Sequence, residues 1–359
     1  MTILTKYFAK EFTRLFFLCL CTFVLMYLLV DFIERSNTFL RHEAAPADVL
    51  MYFVYKIPMI MFQTIPAAVL LSTVLTLVIK AKNMEIVAMM ASGISIFTIA
   101  APFLIISAII SASAFAINEY VVPYSNAKVT YIEQVNIKGK EATVGFKIKQ
   151  AWYRSKDGIY DIDTYYPPKK MMKGVKIYFM DNKFKLVRRI DAERAQWMNN
   201  GWVFYNGTDR YFKDAVETFQ QPFEAMPIPL PETPDDFAVA EKPTDEMSFR
   251  ELNRYIDKVK LENVDVRKYR VDLYGKISFS LVSLVMSLLG IPFSLRTDRQ
   301  GGLAAGVGLS LVISVAYWLV MSAFLSLGHS GRLPPFFSAC GSHVIFIAVG
   351  MGMLAKATK

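Results

Sequence analysis

Six long apolar runs, at 15–33, 57–79, 94–117, 277–295, 303–327 and 334–355, leave this chain few architectures to choose from. At 1.5 Å per residue each run is long enough to cross a hydrocarbon layer about 30 Å thick, with allowance for tilt. Helices satisfy all their backbone hydrogen bonds internally, so runs of this length read as transmembrane helices. The composition agrees, since 54% hydrophobic residues and a mean hydropathy of +0.33 are too apolar for an ordinary soluble protein. An even number of spans places both termini on one side. Lys6, Lys10 and Arg14 ahead of the first run suggest a signal peptide, but that run is long for one and ends in VDFIERSNTF, without a small-x-small cleavage site.

Orientation follows from the short loops. One side collects Lys6, Lys10, Arg14, Lys80, Lys82, Arg296, Arg299, Lys356 and Lys359, against Arg35, Arg41, Lys56 and Arg332 on the other. The positive-inside rule then makes both termini cytoplasmic and puts the long region between the third and fourth spans outside. Cys19, Cys21 and Cys340 all fall in spans, so that outer region holds no disulfide framework. With His42, His329 and His343 they form no metal-ligand spacing.

The outer region changes character. Period-2 segments such as TVGFKIK, GIYDIDTYY, GVKIYFM and GWVFYNG alternate with the turn compositions SKDG, YPPKK, MDNK and MNNG. This predicts an all-β antiparallel sandwich or jellyroll over 122–247, with FEAMPIPLPETPDD as an extended connector at its end. Charge is segregated within it: residues 128–213 hold eighteen basic against nine acidic residues, and 214–246 hold Lys242 against nine acids. The basic block reads either as solvated strand faces or as a surface for anionic lipid head groups or another protein. A capping box at Ser248 and Glu251 then opens an amphipathic helix, with Phe249, Leu252, Ile256 and Val259 on one face, in a connector over 248–276. The expected plan is therefore three spans in 1–121, the β domain, the connector, and three spans in 277–359.

Chemistry is sparse. The pattern G-x-x-x-x-G-K-[ST] is absent, so this chain does not hydrolyse ATP by a P-loop. No nucleophile elbow or H-E-x-x-H motif occurs, and no catalytic residue or metal site is expected. Asp31 is the only acid inside a span. Ser107, Ser111 and Ser113 in the third run, and Gly306, Gly308 and Ser310 in the fifth, are small residues that let helices approach closely. Pro58, Pro66, Pro102 and Pro292 are positions where spans can bend.

The turn between the second and third spans is unusual, because KNMEIVAMMASGIS is an apolar helix-forming stretch with one acid, placed at 82–93 where a few polar residues would close the chain. Glu85-Ile86-Val87-Ala88-Met89-Met90-Ala91-Ser92-Gly93-Ile94-Ser95 resembles the E-[LI]-x-x-[ML]-x-[AS]-x-G-[IFL]-[ST] signature of the lipopolysaccharide-export ABC transporter permeases, the LptF/LptG (YjgP/YjgQ) family. YFAKEF near the start, NEYVVP after the third span and GIPFSL closing the fourth extend the resemblance over the whole chain. The strand at Trp152, the segment 174–197 and LPPFFSACGS look more like the G-type than the F-type.

The resemblance implies an inner-membrane permease with a periplasmic β-jellyroll, paired as a heterodimer with a paralogous LptF-type permease on a cytosolic LptB-type ATPase dimer. ATP and Mg are then bound by that partner and no cofactor by this chain. Lipopolysaccharide would leave the outer leaflet of the inner membrane for an LptC-type membrane-anchored jellyroll protein and a periplasmic bridge; no nucleic-acid partner is expected. On this reading KNMEIVAMMASGIS is the coupling helix. Glu85 would meet an arginine of the ATPase, Ala88, Ala91 and Ser92 would fit a groove, Met84, Met89 and Met90 would supply adaptable apolar contact, and Gly93 would allow the reversal into the third span. The family carries cations near the outer end of its first span, and the nearest here are Arg35 and Arg41, candidates for lipid phosphate or for pairing with Glu34 or Glu43. A membrane-anchored envelope sensor or scaffold shares this topology but gives no reason for the apolar turn. An integral-membrane enzyme would need a polar constellation that is absent.

Overall fold

The computed structural model describes residues 3–139, 148–154, 158–166, 169–181, 185–198, 201–213, 216–234, 243–261, 265–297 and 302–357. Residues 1–138, 244–256 and 265–359 make one compact unit, and 139–243 with 257–264 make a second. Of the inner-side cations, Arg299 and Lys359 lie outside the described residues, as do most of TVGFKIK and much of the turn segments.

All six apolar runs are helices long enough to span a bilayer. They are α1 (Ile3–Arg41), α2 (Pro46–Lys82), α4 (Ile96–Tyr120), α7 (Arg267–Thr297), α8 (Gly302–His329) and α9 (Pro335–Ala357), with α3 (Glu85–Ala91) between α2 and α4. Pro58 and Pro66 sit inside α2, Pro102 inside α4 and Pro292 inside α7, and none ends its helix. α2 and α7 are the most buried of the six, whereas α1, α8 and α9 leave Leu25, Leu29, Val312, Leu319 and Val344 exposed. In a membrane those outer faces meet lipid or another chain rather than water.

Two apolar clusters hold the bundle. Phe8, Phe12 and Phe16 of α1 pack with Phe62, Leu77 and Phe103, and Leu70, Val74, Val282, Met286 and Tyr317 form the second. Ser107 and Ser111 are buried in α4, whereas Ser113 is exposed and bonds back to the Ile109 carbonyl. Of the two glycines singled out in the fifth span, Gly306 fits against Val74, where a Cβ would lie 3.2 Å from Cγ1, while Gly308 faces open space. The tightest approach on α8 lies elsewhere, at Gly328, whose Cβ would fall 2.5 Å from the Ser338 Cβ. Gly328→Ala should therefore overpack the α8–α9 contact and cost about 1–3 kcal/mol, while Gly308→Ala costs nothing. Equal unfolding midpoints for Gly328→Ala and the parent protein in detergent would contradict this.

The sequence assigns 122–137 to the β domain, and the structure corrects that. α5 (Val122–Tyr131) runs into a π-helical turn over Ile132–Ile137, both within the helical unit. Pro123 suits the first turn of a helix, and Ile132 and Ile137 are buried with Phe39 and Tyr52, so tertiary packing decides the conformation. Thr244–Glu246 also belong to this unit: Glu246 is buried and accepts from Thr130 Oγ1 at 2.7 Å. The connector expected as one helix over 248–276 is α6 (Phe249–Leu261) followed by α7, which starts ten residues before the apolar run. The capping box forms as read: Glu251 N–H donates to Ser248 Oγ at 3.1 Å and Ser248 N–H to Glu251 Oε2 at 2.8 Å. Leu252, Ile256 and Val259 are buried, the apolar face that the spacing predicts.

The second unit is built on a sheet, joined by the last turn of α6. Strands β1 (Ile148–Arg154), β2 (Gly158–Tyr166), β3 (Met171–Met180), β4 (Leu186–Met198), β5 (Gly201–Lys213) and β6 (Val216–Ile228) form one antiparallel sheet in the order β1-β2-β3-β4-β5-β6. The described strands are thus an up-and-down meander, without the Greek-key crossings of a jellyroll. Their apolar face buries Tyr160, Ile177, Ile190, Trp202 and Phe204. The segment after β6 returns to satisfy the polar atoms of that core. Tyr160 Oη donates to Glu232 Oε2 at 2.9 Å, Trp202 Nε1 to the Glu232 carbonyl at 2.8 Å, and Tyr165 Oη to the Pro234 carbonyl at 2.7 Å.

Part of the expected connector is strand: Pro222 and Pro227 pair opposite Thr208 and Val203. β6 is the terminal described strand, where a residue without an N–H costs little. Four cations of the basic block pair with carboxylates of the sheet: Lys176 with Asp161, Arg188 with Asp209 and Arg210 with Asp191 between strands, and Arg189 with Asp191 within β4. The Asp209 hydrogen bond, against the effect of burial, holds the Arg188 guanidinium above its ordinary value.

Candidate functional site

The α2–α4 reversal is built by local backbone chemistry. Met84 takes a left-handed conformation, φ 59°, at the start of α3, a cost of about 1 kcal/mol or more for a side chain of this kind. At the other end Gly93, φ 84°, donates to the Met90 carbonyl while Ile94 N–H donates to Met89, which closes the short helix. Ser95 Oγ then caps α4 by accepting from Thr98 N–H at 3.3 Å.

Seven residues of α3 present two faces. Ile86 is buried and Met89 packs on the bundle core, whereas Met84, Val87 and Met90 are exposed together with Ala88, Ala91, Ser92 and Gly93. Of the residues expected to contact a partner, Met89 therefore points to the core. Val87, half exposed, takes its place on the outer face, and its signal was the three-residue spacing Val87/Met90 offset from Ile86/Met89.

Glu85 is held within the chain. Tyr7 Oη donates to Glu85 Oε2 at 2.9 Å, and Lys80 Nζ to Oε1 at 3.3 Å. Lys80 also bonds to Tyr7 Oη and lies 4.2 Å from the centre of its ring. The start of α1, the end of α2 and α3 are thereby tied at one point. The carboxylate remains 27% exposed, enough for a further contact from outside.

A second polar cluster joins α1, α2 and the π-turn. Asp31 receives Lys56 Nζ at 2.6 Å and Arg35 Nε at 3.3 Å; Arg35 Nη1 reaches Glu133 Oε2 at 3.0 Å, and Lys138 Nζ reaches Glu133 Oε1 at 2.6 Å. Tyr52 lies beneath both Arg35 and Lys56, at 5.2 and 5.1 Å. Burial raises the Glu133 carboxyl, but the Lys138 hydrogen bond and the Arg35 and Lys138 charges hold it below the ordinary 4.5. Arg35 is thus committed to carboxylates, namely Asp31 and Glu133 rather than Glu34 or Glu43. Arg41 is exposed at the end of α1 and makes no ion pair among the described residues. Lys56 and Glu133 became legible only in three dimensions, since 25 residues separate Asp31 from Lys56.

A third polar node lies deep in the bundle: His343 of α9 meets the Ser278 carbonyl of α7 at 2.8 Å and Tyr317 Oη of α8 at 3.3 Å. Such contacts bind helices together where no water competes. No group of three His, Cys, Asp or Glu side chains suited to a metal occurs among the described residues.

Six helices long and apolar enough to span a bilayer, an antiparallel sheet inserted between the third and fourth, and an apolar turn helix between the second and third define a multi-pass membrane protein. Residues 6–356 match the family Lipopolysaccharide export system permease LptF/LptG, and the chain belongs to that family. No curated protein matches it. Its role is that of a permease component in lipopolysaccharide export.

Proposed function

We propose that this chain is the membrane-embedded half of an engine whose fuel is burned elsewhere: a cytosolic ATPase dimer hydrolyses ATP and Mg-bound nucleotide never contacts this chain. A paralogous permease, LptF-type if this chain is G-type, completes the pathway. Lipopolysaccharide is taken from the outer leaflet of the bacterial inner membrane and handed to an LptC-type jellyroll protein and a periplasmic bridge. The termini and α3 lie on the cytoplasmic side and the β unit in the periplasm.

The exposed apolar face of α3 carries this reading. Met84, Val87 and Met90 are exposed on a turn that Glu85 ties to Tyr7 and Lys80, in a region whose flanking segments carry Lys6, Lys10, Arg14 and Lys82. An apolar patch rimmed by charge suits a protein groove, and a sensor or scaffold has no need of it.

Ala88, Ala91, Ser92 and Gly93 keep that face shallow. Glu85 acts first as a positioning residue: through Tyr7 and Lys80 it fixes the angle at which α3 meets its partner. Displacement of α3 is then passed directly to α1 and α2. Arg41, exposed and without a carboxylate partner among the described residues, is the cation for lipid phosphate, whereas Arg35 holds the helices together.

The test is the ratio of lipid released to ATP hydrolysed by the reconstituted complex. Glu85→Ala should lower that ratio several-fold, Tyr7→Phe should lower it partly, and Glu85→Gln, which still accepts from Tyr7, should retain most of it. Unchanged coupling in Glu85→Ala would overturn the assignment.

A further inference from the structure

A small cavity of about 180 Å3 opens in the helical unit between α2, α4, α7 and α8 and the 3-10 turn at 244–246. Its polar lining is Asn118, Thr244, Asp245, Asp272 and Lys276, and its apolar wall includes Phe62 and Phe279, whose ring centres are 4.8 Å apart. These residues share one depth. Asn118 is two residues from the end of α4, and Lys276 is the last charge before the apolar run at 277–295. The cavity therefore sits where the bundle passes from apolar to polar, at the level of lipid head groups.

Its polar groups are not used up by the protein. Asn118 is only 5% exposed, and among the described residues its side chain makes no hydrogen bond. The Lys276 ammonium makes no ion pair or hydrogen bond among the described residues either, although Asp245, Asp272, Glu119 and Glu251 are near enough for their charge to act on it. Glu119 and Glu251 are occupied, since Glu119 accepts from the Phe249 N–H at 2.6 Å and Glu251 from the Ser248 N–H at 2.8 Å. Asp272 holds His329 Nε2 at 2.7 Å through Oδ1, which leaves Oδ2. Asp245 is exposed.

One cation beside two carboxylates, with an amide between polar rim and aromatic wall, does not favour a simple anion, which the carboxylates repel. It favours a zwitterion with an apolar tail. We propose that this cavity binds the head group of a primary-amine phospholipid from the surrounding bilayer, with its phosphate on Lys276 and Asn118, its ammonium on Asp245 and Asp272, and its acyl chain along Phe62 and Phe279. The volume is below the roughly 300–1,000 Å3 of drug-sized ligand pockets, so an ethanolamine phosphate fits and the disaccharide head of a lipopolysaccharide does not. The site is thus a resident-lipid site, and it stands on membrane embedding alone, whatever the direction of transport.

The test is lipid retention by the full chain in its purified complex, exchanged in detergent against an equimolar mixture of ethanolamine-, choline- and glycerol-headed phospholipids and lipopolysaccharide, and read by native mass spectrometry. The ethanolamine lipid should be retained at least fivefold over the other phospholipids. Lys276→Gln should lower that retention at least tenfold, and Asp245→Asn, at an exposed position, should keep binding while removing the preference for a primary amine over choline. The unfolding midpoint of Lys276→Gln without added lipid is measured alongside, and Asp245→Asn carries the test if that variant fails to fold. Equal retention of all head groups, preference for the glycerol-headed anion, retention of lipopolysaccharide at the expense of the ethanolamine lipid, or a preference unaltered in Asp245→Asn would each overturn the proposal.

Discussion

Val87→Asp is expected to cut recovery of the ATPase subunit with this chain at least tenfold while leaving the permease itself folded. Val87 lies on the outer face of α3, half exposed, so an aspartate there stays hydrated in the isolated chain and disturbs no packing. In a docked complex the same carboxylate would be buried among apolar groups with no partner, and desolvation without compensation costs several kcal/mol, where about 1.4 kcal/mol is already tenfold in affinity. Met89→Asp, one face round, should behave in the opposite way. It introduces charge into the cluster that includes Ile86, Ile96 and Phe103, and should lower the yield of folded protein before any partner is involved. The two variants separate docking from folding, and the quantity to compare is ATPase recovered per unit of folded permease.

The second large effect is one of stability. Asp31→Asn should destabilise the helical unit by about 2–3 kcal/mol, because it leaves Lys56 without an opposite charge and takes from Arg35 one of its two carboxylates. Asp31 is 7% exposed and is the only described carboxylate that Lys56 pairs with; without it the ammonium keeps Tyr52 Oη at 3.0 Å and nothing of opposite charge. Arg35 retains Glu133, which limits the loss. Arg41→Gln should leave the unfolding midpoint unchanged and lower lipopolysaccharide crosslinking only. A midpoint for Asp31→Asn within error of the parent protein would show that the cluster does not hold α1 to α2.

What the sequence shows of this protein follows the range of the forces involved. The six spans are legible because hydrophobic length is a property of each segment alone, and the Ser248–Glu251 capping box is legible because both partners lie within one helical turn. The stretch 122–137 misleads, since NEYVVP ends an apolar run and the segment beyond it has no periodicity strong enough to outweigh the strands that follow; its helix is fixed by the burial of Ile132 and Ile137 against Phe39 and Tyr52. Pro222 and Pro227 likewise read as a connector, because only the sheet order shows that they occupy a terminal strand.

At the site, the turn helix and Gly93 were visible from composition, but the partners of Glu85 and Asp31 were not. Tyr7 is 78 residues from Glu85 and Lys56 is 25 from Asp31, and no local pattern records such pairings. The division of α3 into an inner face with Ile86 and Met89 and an outer face with Val87 and Met90 was available from spacing alone. Grouping the methionines by chemistry rather than by position hid it.

In the proposed mechanism, force from a separate ATPase enters this chain through α3. Photocrosslinking from native membranes, with a benzophenone amino acid placed in turn at Val87, Met90 and Val312, exposed within the span of α8, tests it most directly. The expected result is a crosslink to an ATP-binding cytosolic subunit from positions 87 and 90 and none from 312. Crosslinks from 87 and 90 that reach only lipid, in membranes where the complex is otherwise intact, would contradict it.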